Sequence, residues 1–301
     1  MKETNNVEQR PRTSLSKGAR RNQILRRITV VGVIAAVITA AFAGYSLHRE
    51  RVEEKQKVEE LRKEKQDKKE AAKVKSKPET AEQKLERIRK QATEHGYPKN
   101  VIELLDKNVE TVDFVADYEK KKDKPYADTI GKELSQRGIP ELLQWDERWG
   151  YAPYGTSIVA ARSASGCGPT CMAMVAAGLN QDASITPAKV AAYGTEHGYV
   201  DEENNTYWRF MDEAGANWNL NSTAGLLSEE QVALELSQGH PIICSVGPGD
   251  FTKIGHFIVL TGYENGNVKV NDPFSIKNSK ATWVFANIKD QIKAMWVFSK
   301  K

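Results

Sequence analysis

One cysteine of this chain stands in a local sequence that suits a nucleophile. Cys167 lies in the run Gly166-Cys167-Gly168-Pro169-Thr170, directly before an apolar stretch that predicts a helix over Cys171–Leu179. Pro169 suits the first turn of a helix, where its missing N–H costs nothing. A thiol there meets unpaired backbone N–H groups and the positive end of the helix dipole, and both favour the thiolate. The flanking glycines let backbone or substrate approach closely. The run indicates a nucleophile, and the alternative is a small cysteine buried near a turn.

The other two cysteines are predicted to be structural. Cys171 lies one helical turn beyond Cys167, and an i,i+4 pair is about 5–6 Å apart at Cβ, whereas a disulfide needs about 3.8 Å. A bond between them would require that turn to unwind, so Cys171 is interpreted as core packing. Cys244 lies in the apolar run Ile242-Ile243-Cys244, which is typical of a buried strand. Three cysteines also exclude a disulfide-built scaffold and a four-cysteine zinc site.

A cysteine nucleophile needs a base, and His256 is the histidine best placed to supply it. It opens the strand-like run His256–Leu260, at the rim of a predicted sheet. Of the remaining histidines, His48 lies directly after the apolar run Ile28–Leu47, at an expected membrane edge. His95 and His197 lie at predicted helix ends, and His240 lies in a loop before Pro241. Their scatter resembles no zinc site, so neither a metal nor another cofactor is expected.

The hairpin that follows His256 brings an acid with it. Asn265-Gly266 is a strong signal for a two-residue turn, and Asp272 follows the second strand. A strict two-residue loop pairs Asp272 with Val259, on the face opposite His256. A three-residue loop or a bulge shifts the pairing by one residue and puts Asp272 on the face of His256. A Cys-His-Asp triad therefore requires a non-ideal turn, a bulge or a bend after the strand.

The predicted helices and strands around these residues have the order of an α+β domain, which we place at residues 126–301. Helices come first, with start signals at Thr186-Pro187 and at the capping box Ser228-Glu229-Glu230-Gln231. Antiparallel strands follow, and this order is typical of the α+β class. The strand-like runs are Pro241–Val246, His256–Tyr263, Val268–Val270 and Trp296–Ser299.

A small helical extension, residues 79–125, precedes this domain. Three short helices are predicted, beginning near Thr80, Pro98 and Val112. Their apolar residues indicate packing on the main domain, and they carry no evident chemistry.

The charge-free run Ile28–Leu47 predicts one transmembrane helix, because twenty helical residues just span a hydrocarbon core of about 30 Å. Arginines on both sides fit an anchor better than a buried core helix. The basic tail 1–27 predicts a cytoplasmic N-terminus, with residues 48–301 outside the cytoplasm. Cleavage as a signal peptide at Ala41-Phe42-Ala43 is the alternative. Residues 48–78 predict a charged helical linker that Pro78 ends.

The distribution of charge argues against nucleic acid as a partner. The whole chain carries a formal charge of +4, with 44 Lys and Arg against 40 Asp and Glu. The positive excess lies before Pro78, since residues 78–301 hold 24 basic and 30 acidic side chains. A nucleic-acid-binding domain would carry its positive charge on the folded part.

Three ordered motifs and the segment before them resemble the peptidase C39-like family of bacterial papain-like cysteine peptidases. The resemblance covers roughly residues 140–298. The matching stretches are Gln144–Trp149 with Pro153–Gly155, Gly166–Thr170 with Met172–Val175, Gly255–Tyr263, and Val270–Pro273.

This resemblance implies a papain-like fold with Cys167 as nucleophile, His256 as general base and acid, and Asp272 orienting the imidazole. Gln144 matches the glutamine that helps to form the oxyanion hole, where one donor is typically worth about 3 kcal/mol.

Together with the predicted transmembrane helix, this resemblance implies a membrane-anchored thiol peptidase that acts on peptide or protein substrates outside the cytoplasm, without a cofactor. The best-known members cut leader peptides as a domain of an ABC exporter. Neither a six-span transporter nor an ATPase is found in this sequence, so cleavage coupled to export is not expected. Two alternatives stay open: a peptidoglycan-directed thiol hydrolase, and a surface binding module that keeps the fold without the activity.

Overall fold

The computed structural model of the protein describes residues 17–75, 79–134, 138–160 and 166–301. By its internal contacts the chain divides into two compact units, Met1–Pro78 and Glu79–Lys301. Most of the predicted basic tail, residues 1–16, lies outside the described residues, as does Pro78, which was expected to end the linker.

The first unit contains one long helix, α1 (Lys17–Lys75). The predicted anchor Ile28–Leu47 lies inside it, in a part that is long and apolar enough to cross a membrane and of which nothing is buried. A helix of this kind near an N-terminus is a membrane span or a signal sequence. Residues 48–75 of the predicted linker continue the same helix, in which Arg49 and Glu53 form an i,i+4 pair at 2.9 Å.

The second unit contains the remaining described elements. Its helices are α2 (Ala81–Glu94), α3 (Lys99–Ile102), α4 (Leu104–Lys107), α5 (Val112–Lys121), α6 (Cys167–Asn180), α7 (Pro187–Glu196), α8 (Arg209–Glu213), α9 (Glu229–Ser237), α10 (Ile276–Lys280) and α11 (Phe285–Ile288). Its strands are β1 (Pro153–Tyr154), β2 (Ser157–Ile158), β3 (Leu220–Gly225), β4 (Ile242–Val246), β5 (His256–Glu264), β6 (Asn267–Asn271), β7 (Thr282–Val284) and β8 (Ile292–Lys300).

Six of these strands form one antiparallel sheet in the described part of the chain, in the order β3-β8-β4-β5-β6-β7. The mixture of helices with an antiparallel sheet confirms the predicted α+β class. The four strands predicted from sequence are its central ones. The edge strands β3 and β7 were missed, because they are largely exposed and lack an apolar alternation.

The sheet is covered by helices on both faces. One core joins α6 and α7 to the sheet and includes Met172, Val190, Phe257, Val259 and Phe298. The other joins α9 and α11 to the opposite face and includes Val232, Phe285, Ile258, Leu260 and Val270. Residues 257–260 of β5 thus contribute alternately to both cores, as the two-residue period of a strand requires.

The helical extension packs on the domain through a third core. Phe114 of α5 stacks on Tyr151 at 4.1 Å between ring centroids, and the Tyr151 hydroxyl donates to the Phe114 carbonyl oxygen at 2.7 Å. Phe274, far along the chain, belongs to the same cluster. Lys121 forms an ion pair with Glu147 across the same boundary.

The predicted start of the first helix of the extension is confirmed, whereas the predicted second helix is divided in two. Thr80 caps α2 in a reciprocal capping box with Gln83. The predicted second helix is broken at Glu103 into α3 and α4, and a short 3-10 turn at Val109–Thr111 leads into α5. Four-residue helices of this kind depend on tertiary packing, which propensity alone does not reveal.

We predict that a fragment beginning at Glu79 folds without α1 and unfolds cooperatively. Its core is complete within that unit, and all six tryptophans lie in it, so their fluorescence reports its unfolding. A fragment beginning at Tyr126 lacks the extension half of the third core and should have a clearly lower melting temperature. Equal melting temperatures for the two fragments would contradict the structural role of the extension.

Candidate active site

Cys167 is the first residue of α6, and its side chain is fully buried. The helix was expected to begin four residues later, at Cys171. It begins earlier because Pro169 tolerates a place in the first turn and because the segment Cys167–Gly178 is buried throughout, so packing outweighs weak propensity. The N-cap residue is Gly166, and no side chain caps this end. The thiol therefore stands at the positive end of the helix dipole.

Two glycines allow neighbouring chain to close around Cys167. A Cβ atom on Gly166 would overlap the carbonyl of Val159. A Cβ atom on Gly168 would lie 2.5 Å from Oγ1 of Thr206. Real Cβ atoms do not approach that closely, so the Gly-Cys-Gly pattern is explained by steric fit.

His256 and Asp272 form a buried hydrogen-bonded pair. Nε2 of His256 lies 2.8 Å from Oδ1 of Asp272, and the two residues are 2% and 1% exposed. The Cys167 group lies close enough to the imidazole to contribute to the raised pKa of His256. The structure thus brings Cys167, His256 and Asp272 together.

The pKa values of His256 and Asp272 favour their charged forms, although burial opposes both. Burial alone would lower the pKa of His256, but the Asp272 carboxylate and the Cys167 group outweigh it, so the pKa lies well above its usual value. Burial alone would raise the pKa of Asp272, but His256 and the hydrogen bonds to the carboxylate lower it. The geometry therefore favours an imidazolium beside a carboxylate.

A β-bulge in β5 places Asp272 on the correct side of the hairpin. The turn has two residues, Asn265 and Gly266, both with positive φ, and Glu264 pairs with Asn267 as in a strict two-residue loop. The register shifts between Leu260 and Gly262, after which Leu260 pairs with Val270 and Val259 with Asn271. Continued one residue past the end of β6 at Asn271, this register would put Asp272 opposite Ile258, which has the same parity as His256. Of the alternatives left open by the sequence, the bulge is the one that occurs.

The loop behind Asp272 supplies hydrogen bonds that the sequence did not predict. The backbone N–H of Phe274 donates to Oδ1 at 2.8 Å, and Asn278 Nδ2 donates to Oδ2 at 2.7 Å. The Asp272 backbone N–H donates to Oγ of Ser279 at 2.9 Å. Asn278 and Ser279 lie on α10, a five-residue helix without a periodic apolar signal. The Ser275 cap was its only local sign, since Ser275 accepts from the N–H of Asn278.

Gln144 lies between the Asp272 loop and the segment before Cys167. Its backbone N–H donates to the Pro273 carbonyl at 2.8 Å. Its fully buried side-chain amide is directed at the carbonyl oxygens of Val159 and Ala160, each at 3.4 Å. Val159 in turn contacts Gly166, next to the cysteine. Gln144 is thus brought to the same site, with its amide turned to backbone carbonyls.

The other two cysteines and two of the remaining histidines, His197 and His240, lie where the sequence predicted. Cys171 and Cys244 are free and fully buried, and burial raises the pKa of both thiols. His197 ends α7, and Nδ1 of His240 lies 2.7 Å from the Glu235 carboxylate. Among the described residues, no group of three or more His, Cys, Asp or Glu is arranged to hold a metal ion.

A helix-borne cysteine facing a strand-borne histidine and a carboxylate, in an α+β domain, defines the papain-like class of thiol peptidase folds. The sequence profile described as the Peptidase C39-like family matches residues 138–301, which is more than half of the chain. The chain therefore belongs to the Peptidase C39-like family, and the resemblance seen in the sequence is confirmed.

Three solved structures illustrate this similarity. The peptidase domain of Streptococcus ComA, a bi-functional ABC transporter involved in a quorum sensing pathway, is 18% identical with a TM-score of 0.36, and the match covers 45% of this chain and 91% of that one. A double glycine motif protease from an AMS/PCAT transporter, in complex with the leader peptide, is 16% identical with a TM-score of 0.34, covering 50% and 91%. A protein described as a C39-like peptidase from Bacillus anthracis is 13% identical with a TM-score of 0.33, covering 53% and 94%. No curated protein matches the chain in sequence.

We predict that Asp272→Asn destabilises the protein in a pH-dependent way. The folded pKa of Asp272 lies below the value of about 3.9 in an unfolded chain. Its contribution to the free energy of unfolding is therefore present above about pH 4 and is lost as the pH falls through the folded value. Breaking a buried pair costs about 3 kcal/mol, so the gap between wild type and variant should be largest near neutral pH and narrow in acid.

Urea unfolding followed by tryptophan fluorescence at a series of pH values measures this gap. Glu235→Gln is the matched control, because it alters a second histidine–carboxylate pair whose side chains are about 30% exposed. The control should change the free energy of unfolding by less than about 1 kcal/mol. A gap for Asp272→Asn that is the same at pH 3 and at pH 6 would contradict an ionised, stabilising Asp272.

Proposed function

We propose that this protein is a membrane-anchored cysteine peptidase that hydrolyses peptide bonds outside the cytoplasm. The observation that carries the proposal is the buried imidazole of His256, at 2.8 Å from the Asp272 carboxylate and near Cys167 at the start of α6. A nucleophile, a base and a group that orients the base are the three parts that nucleophilic catalysis by a thiol requires.

In the proposed reaction the proton of the Cys167 thiol resides on His256 before substrate binds, so that a thiolate beside the imidazolium attacks a peptide carbonyl carbon. The tetrahedral intermediate collapses as the imidazolium of His256 protonates the leaving amine, which leaves a thioester on Cys167. The now neutral His256 takes a proton from water, the hydroxide attacks the thioester, and the thiolate departs beside the imidazolium as the carboxylic acid is released. Asp272 stays ionised and stabilises the imidazolium at each stage.

Gln144 is proposed to stabilise the negative charge that develops on the substrate oxygen. Its amide lies beside the segment that precedes Cys167, and the N-terminal end of α6 adds a favourable dipole. In the described state that amide is directed at backbone carbonyls, so donation to substrate requires it to change partners. Cys167 has no exposed surface, so a peptide reaches the thiol only when the groups over it move.

The membrane part of the proposal is supported by α1 and by charge. The apolar part of α1 is unburied and long enough to span a bilayer. The segment before it contains eight basic and two acidic residues in positions 1–27, which favours a cytoplasmic N-terminus. The peptidase domain would then face outward.

We expect iodoacetamide to label Cys167 selectively at about pH 6, where an ordinary thiol with a pKa of about 8.5 is almost unreactive. Cys171 and Cys244 are internal controls, because they are as fully buried as Cys167 and burial raises the pKa of both. Mass spectrometry of the full chain in detergent locates the adduct, and His256→Ala should slow labelling at Cys167.

Labelling in urea, where all three thiols are exposed, shows that each adduct can be detected. If Cys167 is labelled as fast in His256→Ala as in wild type, or stays unlabelled while peptide cleavage is also absent, the activated thiol is absent and the protein is better described as a binding module.

Peptide cleavage supplies the second test. Cys167→Ser should abolish hydrolysis of a peptide library, with the cleavage sites mapped by mass spectrometry, and should leave the melting temperature nearly unchanged. Gln144→Ala should lower kcat by about a hundredfold, the usual effect of losing one oxyanion donor. Cys171→Ala, one turn along the same helix, is the matched control and should keep its activity. Cleavage that persists in Cys167→Ser would refute the assignment of the nucleophile, and cleavage confined to peptidoglycan peptides would favour the cell-wall hydrolase.

A further inference from the structure

The helical extension reaches the loop that carries Asp272. Nδ2 of Asn108 donates to the carbonyl oxygen of Phe274 at 2.6 Å. The same oxygen accepts from Nε1 of Trp145 at 2.8 Å. Phe274 is therefore held from both sides, since its N–H donates to the Asp272 carboxylate.

Glu110 of the extension holds the start of α10. Its Oε2 accepts from the backbone N–H of Ile276 at 2.9 Å, and its Oε1 accepts from that of Lys277 at 3.2 Å. A carboxylate at the first N–H groups of a helix satisfies donors that have no partner within the helix and meets the positive end of its dipole.

Asn108 and Glu110 are themselves fixed as a unit. Nδ2 of Asn108 also lies 3.2 Å from Oε2 of Glu110, and Oδ1 of Asn108 accepts from the Glu110 N–H at 2.9 Å. Apolar packing anchors the segment on both sides, through Leu104, Leu105 and Phe114 in the core shared with Phe274.

These contacts lead to the triad by two short routes. Through Asn108 and Phe274, one route ends at Oδ1 of Asp272, the atom that also meets His256. Through Glu110 and α10, the other ends at Oδ2, which accepts from Asn278. Both carboxylate oxygens of Asp272 are thus oriented by groups that the extension holds.

We propose that Asn108 and Glu110 are positioning residues of the Cys167–His256–Asp272 site, so that the extension sets the reactivity of the thiol. This inference rests on the proposed function. Both residues lie before the matched family region, residues 138–301, so the support comes from a part of this chain that the family profile does not include. Without them, Phe274 and α10, which supply the donors to the Asp272 carboxylate, would be held less firmly, and the imidazolium of His256 would lose part of its stabilisation.

The test is the pH profile of iodoacetamide alkylation at Cys167, measured on the full chain in detergent. Glu110→Ala removes both acceptors at the start of α10. Asn108→Asp keeps the oxygen that accepts from the Glu110 N–H and replaces the amide donor to Phe274 by an acceptor. Glu110→Gln keeps one acceptor oxygen and serves as the conservative variant. Asp113→Asn is the matched control, since Asp113 lies in the same extension and pairs with Lys84 at 2.5 Å, away from the loop.

We expect Glu110→Ala and Asn108→Asp to slow labelling at about pH 6 by about threefold to tenfold, the range for one hydrogen bond of ordinary strength. Their profiles should move towards that of an ordinary thiol, near about pH 8.5. Glu110→Gln should fall between Glu110→Ala and wild type, and Asp113→Asn should match wild type. A merely structural role would lower the melting temperature without moving the profile.

Profiles of Asn108→Asp and Glu110→Ala that superimpose on that of wild type would overturn the inference and leave the proposed function intact. If Glu110→Ala does not fold, Asn108→Asp and Glu110→Gln decide in the same way. If wild type itself shows no labelling that depends on His256, the proposed function fails and this inference fails with it.

Discussion

The buried pair of His256 and Asp272 is the interaction on which the arrangement of this domain depends. Taking two charged groups out of water costs several kcal/mol for each ion, and the cost is offset only when geometry is good and the remaining polar atoms have partners. Asp272 meets that condition through the Phe274 N–H and the Asn278 amide. The turn behind the carboxylate provides the first donor and the short helix α10 provides the second. The buried pair therefore requires both.

The sheet sets the side on which the pair can form. In a strand, a shift of one residue moves every later side chain to the opposite face. The hairpin keeps its two-residue turn, and one extra residue in β5 between Leu260 and Gly262 changes the register before the pair is reached. The same strand also contributes to the cores on both faces of the sheet. With the bulge, the same hairpin keeps its two-residue turn, contributes to both cores and allows the His256–Asp272 pair to form.

Two segments distant in sequence converge on the carbonyl oxygen of Phe274. Trp145 comes from the start of the matched family region, and Asn108 comes from the extension before it. Together with the stacking of Phe114 on Tyr151, these contacts make residues 79–301 one structural unit. The boundary predicted near residue 126 follows a change in amino-acid composition. The contacts around the site cross this boundary.

The sequence was sufficient to predict the features that depend on neighbouring residues: an apolar helix at 28–47, the capped starts of α2, α7 and α9, the central strands, the Asn265–Gly266 turn and a cysteine at a helix start. It also named Cys167, His256, Asp272 and Gln144, through local motifs and a family resemblance. It left the side of Asp272 open, because a bulge is decided by packing on both faces of a sheet. It gave no sign of Asn108 or Glu110, because their hydrogen bonds join segments 166 and 167 residues apart. It gave no sign of Asn278 either, because the short helix α10 has no periodic apolar pattern. Only tertiary structure brings such groups within hydrogen-bonding distance, since no local pattern encodes a partner that far along the chain.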